Sequence, residues 1–255
     1  MFNLLKIGLT APCGKMGRAL LKAAEYYKDI IDLSVYQKNN SLPLSSYKVF
    51  QNIDELFQCV DVIIDFSSSE LLNNIIPIAK KYNTPLLSGT TGNNDFLLME
   101  NTSQHIPILW SSNMCKGINI INHILQKISP LLRDYDVEII EKHHRYKKDA
   151  PSGTAITLGK TIAESKKVDY NPEYDRFLKN EKRIDQSIGF ASIRGGQING
   201  EHEVMFISNQ EEITIKHKAL DRSIFAYGAI DAAIWLAKQE SNLYSFSDYI
   251  NDINE

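Results

Sequence analysis

Residues 4–110 alternate short apolar segments with segments of helical periodicity, and this alternation limits the fold more than any other feature of the chain. Met16–Tyr27 carries apolar residues on one helical face, which predicts a helix, and Ser68–Tyr82 is predicted to be helical as well. Strands joined by helices form parallel sheets, so this half is predicted to be an α/β domain. The predicted strands are Leu4–Thr10, Asp32–Gln37, Asp61–Phe66, Thr84–Ser88 and Ile106–Trp110.

The second half of the chain shows a different pattern. Three strand-like segments follow one another without long helices between them, which predicts a second, α+β domain with an antiparallel or mixed sheet. The pattern changes near residues 112–118, where a domain boundary is predicted, and residues 166–185 are predicted to form a long polar loop. The predicted elements are strands at Val137–Ile140, Ile188–Ile193, Val204–Ser208 and Glu212–His217, and helices at Ile118–Leu132, Gly153–Glu164 and Arg222–Lys238.

The composition argues against several classes of protein. Of the 255 residues, 43% are hydrophobic, enough for a sizeable core, and the formal net charge of -3 predicts no binding to nucleic acid or to an anionic membrane. The three cysteines are widely spaced, so neither a disulfide framework nor a cysteine-type zinc site is expected. No apolar run approaches the roughly 20 residues of a membrane span, and the N-terminus lacks a signal-peptide layout. We therefore expect a soluble, cytoplasmic protein.

A glycine-bearing turn follows the first predicted strand, at Thr10–Arg18. Such a turn lets backbone N–H groups approach a pyrophosphate, and the positive end of the following helix dipole adds to the attraction. Gly14 would permit the close approach, and Gly17 would let the helix pack tightly on the strand. Ala11 replaces the usual first glycine, so the fingerprint is incomplete. From this motif alone, a dinucleotide site and a plain structural turn are equally good interpretations.

The end of the second strand bears on the choice between NADH and NADPH. An acidic residue at this point normally binds the ribose of NAD, but residues 35–39 contain no carboxylate. Lys38 would instead attract a 2′-phosphate, which favours NADPH. A solvated lysine without a ligand is an equally good interpretation.

The segment Glu141–Ala155 concentrates the groups that can carry chemistry. His143 and His144 stand side by side in a basic loop with Lys147, and this positive charge would attract a small dianion and lower the pKa of the histidines. Ser152–Thr154 opens a helix, where hydroxyl and free N–H groups can bind a carboxylate. Ordinary helix capping is the alternative for these residues. Metal binding is a weaker alternative for the histidines, because adjacent strand residues point to opposite faces.

Residues 141–155 resemble, without a gap, the signature of the dihydrodipicolinate reductase family, Glu-x-His-His-x-x-Lys-x-Asp-Ala-Pro-Ser-Gly-Thr-Ala. This string is specific, whereas the glycine turn alone is not. The resemblance extends from around residue 5 to residue 238. Further matching segments are Gly14–Arg18, Asp65–Ser67, Gly89–Gly92, Ser112–Met114, Ile188–Ala191, Gly200–His202 and His217–Ala219.

The resemblance implies a Rossmann-like cofactor domain of residues 1–114 and 221–255 and a substrate-binding and oligomerisation domain of residues 115–220, assembled as a homotetramer. It implies NADPH or NADH as the cofactor and a small dicarboxylate as the substrate; the residue spacing itself predicts no resident metal. His143 matches the family's proposed general acid/base, and Lys147 matches its proposed proton donor. The implied substrate-binding residues are His144, Ser152, Gly153 and Thr154. The implied cofactor-binding residues are Ala11, Pro12, Cys13, Gly14, Lys15, Met16, Gly89, Thr90, Thr91, Ser111, Ser112, Asn113 and Met114, to which the strand-end argument adds Lys38.

The activity that the resemblance implies is NAD(P)H-dependent reduction of 4-hydroxy-tetrahydrodipicolinate, a cyclic imine dicarboxylate, in diaminopimelate and lysine biosynthesis. Another Rossmann reductase, such as an aspartate dehydrogenase, would share the glycine turn but would not need the His-His-x-x-Lys string. A catalytically silent nucleotide-sensing protein is the non-enzymatic alternative. It predicts damage at the acid–base groups, yet His143 and Lys147 are both present.

Overall fold

The computed structural model describes residues 4–38, 44, 46–174 and 181–253. The chain divides into two compact units: an N-terminal unit of residues 1–116 with 223–255, and a central unit of residues 117–222. The predicted domain boundaries, after residues 114 and 220, lie near these junctions. The assignment of a ligand to each unit stays a prediction.

The N-terminal unit is built on a parallel sheet. Its described strands are β1 (Leu5–Leu9), β2 (Ile31–Tyr36), β3 (Lys48–Phe50), β4 (Val62–Asp65), β5 (Leu86–Ser88), β6 (Ile108–Trp110) and β12 (Leu243–Tyr244). Their order is β12-β6-β5-β4-β1-β2-β3, and every pair is parallel. Because β1 pairs with β2 on one side and β4 on the other, the strand order reverses beside β1. Open parallel sheets bind ligands next to such a reversal, at the carboxyl ends of the strands.

Helices cover both faces of this sheet. The described ones are α1 (Lys15–Ala24), α2 (Ile53–Cys59), α3 (Ser69–Tyr82), α4 (Phe96–Ser103), α7 (Ser223–Leu236) and α8 (Phe246–Asp252). Leu20 of α1 and Ile230 of α7 share one apolar cluster with Ile64 of the sheet. Ile75 of α3 shares the other cluster with Ile63, because successive strand residues point to opposite faces. The C-terminal helices therefore return to the N-terminal unit.

The central unit contains a mixed sheet. Its described elements are α5 (Lys116–Ile128, whose first residue belongs to the N-terminal unit), β7 (Asp136–His143), α6 (Gly153–Lys166), β8 (Pro172–Glu173), β9 (Ile188–Arg194), β10 (Glu201–Ile207) and β11 (Glu212–Lys218). The strand order is β11-β10-β7-β9-β8. β10 is antiparallel to both of its neighbours, whereas β7, β9 and β8 run parallel.

One face of strand β7 is apolar at the start of the strand and polar at its end. Val137 and Ile139 pack in an apolar cluster with Ala155 and Leu158 of α6. Glu141 and the strand's last residue continue on the same face, since side chains alternate along a strand. The polar residues lie at the end of β7 that approaches the start of α6, so the apolar core ends where the polar cluster begins.

These two sheets confirm the predicted fold class, a Rossmann-like parallel sheet with a second α+β unit. Several short elements were not predicted: β3, α2, α4, β12 and α8. Helix α4 was not predicted because its sequence has no amphipathic pattern: its apolar residues Phe96 and Leu97 are 47% and 67% exposed. The predicted 166–185 loop lies partly outside the described residues; within them, α6 extends to Lys166 and β8 forms a short strand.

Gly228 on α7 is required by close packing, because an added Cβ would lie 1.9 Å from the carbonyl oxygen of Met114. Glycine to alanine normally stabilises a helix interior by about 0.5–1 kcal/mol. The sign is expected to be reversed here: Gly228→Ala lowers the free energy of unfolding by about 1–3 kcal/mol through overpacking. Urea denaturation measures this. Gly195→Ala is the control, since its Cβ would meet nothing within 4 Å. Equal stability of Gly228→Ala and the wild type would contradict the packing argument.

Candidate active site

The turn between β1 and α1 ends in a helix start that no described side chain caps. Gly14 is the N-cap residue of α1, and the first helical turn contains no acidic residue. The first N–H groups of α1 therefore keep their capacity to bind an anion, which the helix dipole also favours. Because α1 begins at Lys15, Lys15 and Met16 of the predicted cofactor loop lie in the first helical turn.

Two small residues shape this turn. An added Cβ at Gly17 would lie 2.0 Å from the carbonyl oxygen of Ala11, so at this position α1 packs on the backbone of the turn. The predicted contact of Gly17 with the strand was wrong. Ala11 is not among the residues with positive φ, so its methyl group is tolerated where the usual fingerprint has glycine. The turn therefore fits a pyrophosphate despite the missing first glycine.

Asp65, the last residue of β4, ties the ends of three strands together. Its carboxylate is fully buried and accepts hydrogen bonds from the hydroxyl groups of Thr10 at 2.6 Å, Ser88 at 3.1 Å and Thr90 at 2.7 Å. Thr10 follows β1, and Ser88 and Thr90 end and follow β5. The buried carboxylate thus holds two of the loops that were predicted to bind the cofactor.

The other predicted cofactor residues also follow the carboxyl ends of parallel strands. Gly89–Thr91 follow β5, Ser111–Met114 follow β6, and the exposed Lys38 follows β2. Parallel strands end at one edge of the sheet, so these segments share an edge with Ala11–Gly14. The Met114 side chain is only 2% exposed and lies in the apolar core. Any contribution of Met114 to a ligand would therefore come from its backbone.

In the central unit, the carboxylate of Glu141 is the centre of the polar end of β7. Its side chain is 1% exposed. The guanidinium of Arg194 donates to both carboxylate oxygens, at 2.8 and 2.6 Å. Nδ1 of His143 lies 2.5 Å from Oε2, and the backbone N–H of Ser152 donates to Oε1 at 3.3 Å. Burial alone would raise the pKa of Glu141, but the hydrogen bonds from Arg194, Ser192 and His143 bring it below its ordinary value. Glu141 is therefore a carboxylate at neutral pH.

The pKa of His143 is lowered, which is the predicted direction, but burial is the largest cause rather than the basic loop. Glu141 acts in the opposite direction, and the positive charges of Lys147 and Arg194 lower the pKa further. His143 is therefore neutral at pH 7, with the proton on Nδ1, which faces the carboxylate. Nε2 keeps its lone pair and faces Gly200, where an added Cβ would lie 3.1 Å from it.

His143 and His144 enter different surroundings because β7 ends at His143. Nε2 of His144 lies 3.4 Å from a guanidinium nitrogen of Arg222, a cation that the sequence interpretation did not include. Lys147 forms an ion pair with Asp149 at 2.8 Å. Its charge is also close enough to influence the pKa of His143.

Ser152 and Gly153 play different parts at the start of α6. Ser152 Oγ accepts a hydrogen bond from the N–H of Ala155 at 3.2 Å and shares one of 3.0 Å with Nε2 of His202. Ordinary helix capping therefore accounts for the Ser152 hydroxyl. Gly153 has open space around it, because an added Cβ would meet nothing within 4 Å. The fold does not require glycine there, and the half-buried Thr154 follows it.

Three residues of this cluster had no role assigned from the sequence: Glu141, Arg194 and His202. The sheet brings them together, because Glu141 pairs with His202 across β7–β10 and His143 pairs with Arg194 across β7–β9. One sequence signal existed for Glu141, since a charged residue at a core-facing position of a strand needs a partner. Arg194 and His202 carry no such signal, because their position depends on the register of strands distant in sequence.

Among residues 4–38, 44, 46–174 and 181–253, no helix has the length and apolarity that crossing a bilayer requires. No group of three or more histidine, cysteine, aspartate or glutamate side chains in them could hold a metal ion.

The parallel sheet, with an open, glycine-bearing helix start beside its order reversal, places the N-terminal unit in the Rossmann-like dinucleotide-binding class. Family models described as dihydrodipicolinate reductase, N-terminus and C-terminus, match residues 5–114 and 117–250. The chain belongs to the dihydrodipicolinate reductase family, which confirms the resemblance found in residues 141–155. Members of this family are NAD(P)H-dependent oxidoreductases.

Relatives are similar over nearly the whole chain. The 4-hydroxy-tetrahydrodipicolinate reductase of Rickettsia rickettsii (strain Sheila Smith) is 42% identical over 247 residues, covering 96% of this chain and 98% of the relative. The reductase of the same name from Wolbachia sp. subsp. Brugia malayi (strain TRS) is 39% identical over 267 residues, covering 96% and 99%. A dipicolinate-bound dihydrodipicolinate reductase from Paenisporosarcina sp. TG-14 has a similar fold, with a TM-score of 0.78, 22% identity and coverage of 95% and 98%.

His202 is expected to make stability depend on pH. Burial, followed by repulsion from His143, lowers the pKa of His202 to about 4 from 6.5. Its buried Nδ1 has no hydrogen-bond partner among the described residues, so an imidazolium would carry an unsatisfied donor. The unfolded chain takes up this proton at higher pH than the folded chain. Folding stability therefore falls as pH drops from about 6.5 to 4, by up to about 3 kcal/mol.

Urea denaturation across this pH window should show a smaller loss of stability in His202→Gln than in the wild type. His105→Gln, at an exposed position in the N-terminal unit, is the matched control. An NMR titration of wild-type His202 with a midpoint near 6.5 would contradict the assignment.

Proposed function

We propose that this protein reduces 4-hydroxy-tetrahydrodipicolinate to tetrahydrodipicolinate with NADPH or NADH, in diaminopimelate and lysine biosynthesis. The observation that carries the proposal is the cluster at the end of β7, where a neutral His143 lies beside a buried carboxylate and within electrostatic range of Lys147. The near full-length relatives named for this reaction support it. The test is to follow nicotinamide oxidation with substrate made in situ by the preceding synthase, in parallel with both cofactors.

The cofactor is proposed to bind at the carboxyl edge of the N-terminal sheet. NAD(P)H supplies a hydride when it is bound. The open N–H groups at the start of α1, with Ala11–Met16, are proposed to hold the pyrophosphate. Gly89–Thr91 and Ser111–Met114 are proposed to line the same edge. Lys38 is proposed to pair with the 2′-phosphate of NADPH, and the parallel assays with the two cofactors test this preference.

The substrate is proposed to bind through its two carboxylates in the central unit. The cationic groups proposed to attract them are Lys147, whose ammonium also pairs with Asp149, and Arg222, which contacts His144. The start of α6 at Gly153–Thr154 supports a second anchor, because the space around Gly153 is open and a helix start favours an anion. Ser152 is proposed to contribute by fixing this helix start, since its hydroxyl is already engaged.

Protons are proposed to move through Lys147 and His143. The reaction consumes one proton and releases one water. Loss of the 4-hydroxyl as water needs an acid that protonates the leaving hydroxyl and a base that takes a proton from the adjacent ring carbon, and one further proton is added to the ring after hydride transfer. The Lys147 ammonium carries N–H donors, and the neutral His143 offers a lone pair at Nε2. This difference favours Lys147 as the donor and His143 as the acceptor.

We also propose that the protein is a cytoplasmic homotetramer. The sheet face opposite α6 supports assembly, because Ala191 and Ile193 are exposed there and belong to none of the apolar clusters of the described chain. Size-exclusion chromatography with light scattering is expected to give the mass of four chains of 29.0 kDa each. The mass of a monomer or dimer would reject the tetramer.

Alanine substitution tests the acid–base roles. His143→Ala and Lys147→Ala are each expected to lower kcat by about 10²–10⁴-fold, the usual contribution of a general acid or base. Both variants should keep the wild-type circular dichroism spectrum. Steady-state kinetics in the coupled assay measures the effect.

Lys127→Ala is the matched control, because Lys127 is an exposed lysine in the last turn of α5, outside the cluster. It should turn over at the wild-type rate. Unchanged kcat in both active-site variants would reject the assignments, and turnover of an aspartate dehydrogenase substrate instead would reject the proposed reaction.

A further inference from the structure

We infer that Glu141 is a positioning residue that fixes the tautomer of His143, so that Nε2 of the neutral ring is the proton acceptor. This inference rests on the acid–base role of His143 in the proposed function. It adds a residue to which the sequence interpretation gave no role, and it explains why a fully buried carboxylate lies at this strand end.

The contacts of Glu141 leave only one proton arrangement on His143. Oε1 accepts from Arg194 and Ser152, and Oε2 accepts from Arg194 at 2.8 Å. Oε2 also lies 2.5 Å from Nδ1 of His143. A carboxylate can only accept hydrogen bonds, so Nδ1 must be the protonated nitrogen. The lone pair of the neutral ring is therefore on Nε2.

Arg194 keeps the Glu141 carboxyl group ionised. A buried carboxylate without a cation would tend to take up a proton and could then donate to Nδ1, which would reverse the tautomer. The two-pronged contact of the guanidinium with both oxygens prevents this by stabilising the anion. On the other side of the ring, Gly200 has φ of +156° and no side chain, so Nε2 is not covered at this point.

The Glu141→Gln substitution removes the negative charge and keeps the shape of the side chain. Its amide has one oxygen and one NH₂ group, and either position faces an Arg194 donor. At the Oε1 position the NH₂ would face a second donor, the backbone N–H of Ser152, which cannot become an acceptor. At the Oε2 position it would face Nδ1 of His143, which becomes an acceptor when the ring proton moves to Nε2. The amide nitrogen should therefore occupy the Oε2 position and switch His143 to the Nε2–H tautomer.

The experiment combines ¹⁵N NMR of the histidine ring with kinetics. The wild type is expected to show the Nδ1–H tautomer of His143, and Glu141→Gln the Nε2–H tautomer. With Nε2 no longer able to accept a proton, kcat is expected to fall by about 10²–10⁴-fold, while the KM values stay close to the wild type. Glu203→Gln is the matched control, because Glu203 lies on the opposite face of β10 and pairs with Lys216 at 3.1 Å. It should keep the wild-type tautomer and kcat.

Several outcomes would overturn the inference. An Nε2–H tautomer in the wild type does so even if Glu141→Gln fails to fold. A large fall in kcat without a change of tautomer would make Glu141 merely structural, and a change of tautomer with full kcat would remove its positioning role. Failure of the proposed function is distinguishable, because the wild-type tautomer is measured without turnover, whereas the role of His143 is read from the turnover of His143→Ala.

Discussion

The buried ion pair between Glu141 and Arg194 is the interaction on which the central unit's site depends. Taking a carboxylate and a guanidinium out of water is costly, and a pair of this kind is favourable only when further hydrogen bonds satisfy the remaining polar groups. For the carboxylate those bonds come from the ring of His143 and from the backbone of Ser152. The guanidinium also donates to the carbonyl oxygens of Ile193 and Asp149, and its buried Nε has no hydrogen-bond partner among the described residues. The hydrogen bonds that stabilise the buried Glu141 carboxylate also fix the position of the His143 ring and of the start of α6. Stabilising the buried charge and positioning the site residues therefore depend on the same contacts.

The N-terminal unit solves a similar problem in a different way. Asp65 is also fully buried at the end of a strand, but its partners are the hydroxyl groups of Thr10, Ser88 and Thr90 rather than a cation. Three neutral donors fix a loop edge without adding positive charge beside it. Positive charge at that edge comes instead from the open start of α1 and from the exposed Lys38. Each unit thus uses a buried carboxylate to position backbone and side chains, and only the central unit neutralises its carboxylate with a guanidinium.

The features that could be predicted from the sequence are those that depend on local sequence patterns. The alternation of apolar and helical segments predicted the parallel sheet, and the Glu141–Ala155 string predicted the family. The order of the second sheet was not predictable in the same way, because β7 lies between β9 and β10 although β9 and β10 are successive along the chain. The partners of Glu141 follow from this order, since Arg194 and His202 come from the two strands that flank β7. Local sequence therefore predicted roles for His143 and Lys147 but did not indicate the residues that hold His143 in place.

The cause assigned to a pKa shift matters as much as its direction. The basic loop alone would disfavour a proton on His143 through repulsion, and such an effect weakens with salt because exposed charges are screened. Burial is the larger cause, with Glu141 opposing it at short range. Because burial is the main reason that the ring is neutral, its protonation state depends little on ionic strength, and the hydrogen bond from Nδ1 to Glu141 gives it a defined tautomer. The two roles proposed for the end of β7 are therefore compatible, because the cations proposed to attract a dianion, Lys147 and Arg222, are different groups from the neutral imidazole proposed to accept a proton.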